Sequence, residues 1–123
     1  HSMEHALSAY HPDLPHGAGL IMLSMAWHGH FVKNHACDDL YIRMAKAMGK
    51  EDASRAEDFL DLLHQLQVDC GVENLKMSDY GVTKEELPSL VENARESMGK
   101  LFSMDPAALS DENVLRIYEE SYR

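Results

Sequence analysis

Eight histidines stand in this chain of 123 residues, and four of them, His1, His5, His11 and His16, fall within its first sixteen positions. Imidazole is the commonest side-chain ligand for iron, zinc, nickel and copper, and it also titrates near neutrality. Such a grouping therefore points to a metal centre or to proton transfer. His1 and His5 are four residues apart in a stretch without Gly or Pro. On a helix that spacing projects both rings from one face, where they could chelate a divalent cation. His16 lies in Pro15-His16-Gly17, where a rigid turn at a helix start would hold its ring. Spacing alone leaves three readings open: a His-rich metal site, a chance grouping, and a tag remnant at His1. The zinc-protease pattern His-Glu-x-x-His is absent, because the run is His1-Ser2-Met3-Glu4-His5 and Glu4 is in the wrong place for it. His28, His30 and His35 suit helix-end solvation or hydrogen bonding in the core, and His64 suits a surface or boundary position. The eight methionines suit packing better than ligation.

Other chemistries find little support. Gly17 and Gly19 give G-x-G, but no strand precedes them and no third glycine follows, which rejects a dinucleotide-binding turn. Neither a G-x-S-x-G elbow nor a Walker loop is present. The net charge is −10, which repels phosphates and anionic membranes and argues against nucleic acid as a partner. The most apolar stretch, Gly17 to Val32, is interrupted by Ser24, His28 and His30 and is too short and polar to cross a bilayer. Cys37 and Cys70 form no C-x-x-C pair and no disulfide framework, so a reduced, cytoplasmic setting is expected. The first residue is His1 rather than Met, which suggests a fragment, a processed product or a tag remnant.

The elements that must position these histidines read almost entirely as helix. His1 to about Ala9 suits a helix, and Tyr10 to Pro15 a turn marked by His11-Pro12-Asp13. Pro15 suits the first position of the next helix. That helix, roughly 16 to 34, is apolar on most sides and is expected to be the buried centre of the core. Asp38 or Asp39 opens a helix that ends at Gly49. Another begins near Asp52 and ends at Gly71, with Phe59, Leu62, Leu63, Leu66 and Cys70 as its buried stripe. Thr83 with Glu86 reads as a capping box, and Pro88 opens a helix through about Met98. Ser110, followed by Asp111 and Glu112, caps a last helix. Strand-type alternation is missing, so the expected fold is one all-α domain over residues 1–123, a bundle of about six or seven helices.

The run from His1 through Pro15-His16-Gly17 resembles the signature of the iron-containing (group III) alcohol dehydrogenases, which has His, three residues, His, a loop, then Pro-His-Gly. Tyr80 to Ala94 looks like later helices of that family, and Leu109 to Tyr118 like its terminal helix, so the resemblance runs the length of the chain. The resemblance looks closest to the butanol and lactaldehyde reductase branch. It departs in a His5–His16 loop one residue longer than in some members, and in Ser8 where many have Gly. It implies a two-domain enzyme: an N-terminal α/β domain holds NAD or NADP, and a helical C-terminal domain carries Fe2+ or Zn2+ on one Asp and three His. On that basis His1 and His16 are metal ligands, with the Asp and the first His upstream of this chain. His5 matches a catalytic histidine beside the nicotinamide and substrate. The implied reaction is hydride transfer between a primary alcohol or aldehyde and NAD(P), with the isolated chain inactive. The expected partners are a small alcohol or aldehyde and a second copy in a homodimer. The alternative is a stand-alone, non-catalytic helical module that binds metal or protein.

Overall fold

The computed structural model describes residues 1–123. Six α-helices run in chain order: α1 (Ser2–Tyr10), α2 (His16–Lys33), α3 (Asp38–Ala47), α4 (Glu57–Asp69), α5 (Leu87–Met98) and α6 (Asp111–Ser121). Short 3-10 helices at Met77–Tyr80, Lys84–Glu86 and Gly99–Met104 fill the connections, and there is no strand. The all-α expectation holds.

Helix α2 is the hub: α1, α4 and α6 all pack on it, α5 packs on α1 and α6, and α3 packs on α4. The all-round apolarity of α2 follows from these several neighbours. Met22, Leu23, Phe31 and Val32 are buried, and its other apolar residues are half-covered. Helix α1 buries Met3, Ala6 and Leu7, the i, i+3, i+4 stripe of an amphipathic helix. It is pinned at both sides. The Ser2 hydroxyl donates to the Met98 carbonyl at 2.9 Å, and the Tyr118 hydroxyl donates to the Met3 carbonyl at 2.6 Å.

Four local expectations are corrected. Pro15 is the N-cap residue of α2, so His16 is its first helical residue. Helix α4 starts at Glu57 rather than near Asp52, because the Asp58 carboxylate accepts the backbone N–H groups of Ser54 and Arg55 at 3.0 and 3.1 Å and holds the preceding residues as a turn. These hydrogen bonds lower the Asp58 pKa. The α4 stripe is rotated: Phe59 and Gln67 are its buried residues, while Leu66 and Cys70 are exposed. Gln67 can go inside because its side-chain amide donates to the Ser24 hydroxyl of α2 at 2.8 Å. Thr83 makes no side-chain cap to backbone, and a 3-10 turn at Lys84–Glu86 precedes α5. Ser110 does form a reciprocal capping box, with Asn113 as its partner at 3.1 Å in each direction.

Candidate metal centre

Three of the four early imidazoles meet at one end of α1 and α2. His1 is the N-cap residue of α1, His5 lies one turn further on, and His16 begins α2. The turn between the helices folds back because Leu14 is buried beneath it and its N–H donates to the His11 carbonyl at 2.9 Å. The ring centroids of His1 and His16 are 5.3 Å apart, those of His5 and His16 5.4 Å, and those of His1 and His5 6.5 Å. One potential ligand nitrogen from each ring lies within 4.8 Å of those of the others, and all three residues are exposed. In a tetrahedral imidazole set, metal–nitrogen bonds of about 2.0–2.1 Å put the nitrogens roughly 3.4 Å apart. The cluster therefore needs only a modest inward turn of exposed rings to close on a divalent ion. The donor set, borderline nitrogen and no thiolate, suits iron or zinc.

His11 does not join this cluster. Its Nε2 pairs with the Glu86 carboxylate, tying the turn after α1 to the segment before α5. His28 lies in the core side of α2, with Nδ1 3.1 Å from the Tyr41 hydroxyl. The rings of Trp27, Phe59 and Tyr41 surround it, and burial pushes its pKa down to about 4. His35 is at the α2 C-terminus with φ 52°. A hydrogen bond to Asp38, at 2.7 Å, and the charge of that carboxylate raise its pKa. His64 is exposed, as expected.

The residue missed from sequence is Glu4. Its side chain is fully buried, and Oε2 meets Nδ1 of His16. The Ser8 hydroxyl donates to Oε1 at 2.5 Å. Gly19 makes room for this carboxylate, since a Cβ there would lie 2.7 Å from Glu4 Cγ. The signal was present in the sequence: Glu4 falls inside the apolar stripe of Met3, Ala6 and Leu7, where an acid needs a partner.

Beside the histidines a cavity of about 450 Å³ opens, bordered by His1, Leu20, Leu23, Trp27, Phe102 and Met104. His28 and Asp105 also border it. Burial lowers the pKa of the first and raises that of the second, so both shift toward their uncharged forms. No helix is long and apolar enough to cross a membrane.

Residues 1–122 match the family model described as the Fe-containing alcohol dehydrogenase family, C-terminal. Over 132 aligned residues the chain is 30% identical to the long-chain primary alcohol dehydrogenase AdhA of Thermoanaerobacter ethanolicus, covering 99% of this chain and 31% of that protein. The fold superposes with a TM-score of 0.86, at 30% identity, on the archaeal halo-thermophilic alcohol dehydrogenase ADH/D1 from a Red Sea brine pool, covering 98% of this chain and 32% of that one. A 1,3-propanediol oxidoreductase shares the fold with a TM-score of 0.85 at 20% identity, covering 99% of this chain and 32% of that one. The chain thus spans about a third of the length of these relatives.

Proposed function

The chain belongs to the Fe-containing alcohol dehydrogenase family, and from that premise we propose that it forms the metal-holding helices of an enzyme transferring hydride between a primary alcohol or aldehyde and NAD(P). The observation that carries this reading is the convergence of His1, His5 and His16, with ligand nitrogens within 4.8 Å of one another, in a chain that matches the family from residue 1 to residue 122. His1 and His16 are read as two ligands of a divalent iron or zinc ion, and the exposure of all three rings leaves a side open for further ligands and for substrate. When bound, the metal would act as a Lewis acid on the substrate oxygen. His5, on the same helix face as His1, orients the substrate and holds or passes a proton at its ring. The cavity beside His1, walled by the apolar side chains of Leu20, Leu23, Trp27, Phe102 and Met104, supports an uncharged substrate. The nicotinamide cofactor is bound mainly by parts of the enzyme other than these helices, which contain no strand or glycine-rich phosphate turn. On this reading the chain by itself does not turn over alcohol.

Calorimetric titration of the chain with zinc tests the ligand assignment. One equivalent should bind weakly, since two imidazoles fill half of a four-ligand site. His1→Ala and His16→Ala should each lower the affinity about tenfold or more, and His5→Ala should lower it less. Zinc binding unchanged in His16→Ala would reject this reading.

A further inference from the structure

We propose that Glu4 is the positioning residue of the metal centre: its carboxylate accepts the Nδ1 proton of His16, fixing the ring and leaving Nε2 as the nitrogen that binds the cation. The inference rests on the reading of His16 as a ligand. It is carried by three positions around His16, namely Glu4, Ser8 and Gly19, that metal ligation by itself does not require. Glu4 has no exposed side-chain surface, whereas His16 is 49% exposed, so the carboxylate lies under the ring rather than beside it in solvent. A buried carboxylate is retained only where its oxygens are paired. Here Oε2 faces His16 Nδ1, and Oε1 accepts from the Ser8 hydroxyl at 2.5 Å. The Ser8 bond joins positions one helical turn apart on α1 and locks the Glu4 rotamer. Gly19, one turn into α2, leaves the space the carboxylate occupies: a Cβ there would come within 2.8 Å of Oε1 as well as 2.7 Å of Cγ.

The chemistry follows from donor counting. A carboxylate only accepts, so the nitrogen facing it must carry the proton. A neutral imidazole with Nδ1 protonated presents its lone pair at Nε2, the nitrogen on the far edge of the ring from Glu4. The carboxylate also prevents the ring from rotating. His1 and His5 have no comparable partner among the hydrogen bonds of the structure, so of the three clustered imidazoles Glu4 acts on His16 alone.

The test has one arm that needs no metal. Long-range 1H–15N correlation spectra of the metal-free chain at about pH 9 read which nitrogen of His16 holds the proton. The expected result is a proton on Nδ1 in the wild type, loss of that preference in Glu4→Leu, and its return in Glu4→Gln, which keeps an acceptor. An unprotonated Nδ1 in the wild type overturns the proposal without any variant having to fold. The second arm is a zinc titration of Glu4→Leu, His16→Ala and the double variant. Glu4→Leu should weaken zinc binding by about 10–100-fold. In the His16→Ala background the same substitution should change nothing more, because its effect runs through that ring. An equal loss in both backgrounds overturns the proposal. Zinc affinity unaffected by His16→Ala instead rejects the ligand assignment, and the spectra then still decide the role of Glu4.

Discussion

At the scale of single residues, the chain sorts its histidines by what surrounds them. His28 lies among the rings of Trp27, Tyr41 and Phe59, with centroids at 4.8, 5.7 and 5.1 Å. There a charge has little solvation, and burial holds its pKa near 4 instead of 6.5. Above the unfolded value both states are neutral, and the folded chain keeps its full stability. As pH falls below 6.5 the unfolded chain takes up a proton that the folded chain refuses, so stability drops until about pH 4. The total loss from this ring is up to about 3 kcal/mol. Urea unfolding at about pH 7.5 and about pH 5 should show the wild type losing roughly 2 kcal/mol more than His28→Gln, which cannot titrate but can still bond Tyr41. Parallel losses in the two proteins would show that His28 is not held neutral.

At the scale of elements, similar sequence signals had different outcomes because only some were backed by packing. Ser110 and Thr83 both precede a helix with a suitable residue three positions on. Ser110 and Asn113 exchange side-chain to backbone hydrogen bonds at the start of α6. Thr83 meets only the Glu86 side chain, at 3.4 Å, while Glu86 is engaged by His11 from the turn after α1. The long-range partner has taken the carboxylate that a local cap would have used. Ser110→Ala should therefore cost about 1 kcal/mol, and Thr83→Ala no more than about 0.5 kcal/mol. The shift in urea midpoint at constant slope measures both, and equal costs would count against this account. The rotated face of α4 has the same origin. Leu66 fits the apolar period, but the inward position goes to Gln67 because Ser24 is there to accept its amide proton.

At the scale of the whole molecule, the helix that carries His1 and His5 is anchored far from its own sequence. Tyr118, fully buried in α6, donates to the Met3 carbonyl at 2.6 Å, across 115 positions of chain, and Ser2 is bonded to the end of α5. The candidate metal centre thus depends on the last helix although it contributes no ligand. Tyr118→Phe removes one buried hydrogen bond and should lower global stability by about 1 kcal/mol. Amide exchange in α1 should quicken beyond the global change, because the lost bond is that helix's own tether. Unchanged protection of α1 would show that its packing on α2 and α5 holds it without this bond.

The sequence by itself determined the helices, their approximate ends and the histidine pattern. These depend on local periodicity, on Gly49 and Gly71 as helix stops and on the spacing of His1, His5 and Pro15-His16-Gly17, all read within a few residues of one another. Tertiary structure alone decided which charged or polar groups could enter the core. Glu4 is buried because His16, Ser8 and Gly19 converge on it. Gln67 is buried because Ser24 meets it, and His11 leaves the cluster because Glu86 claims it. A polar group enters an apolar interior only where a partner satisfies it, and for Gln67 and His11 that partner lies 43 and 75 positions away in the chain.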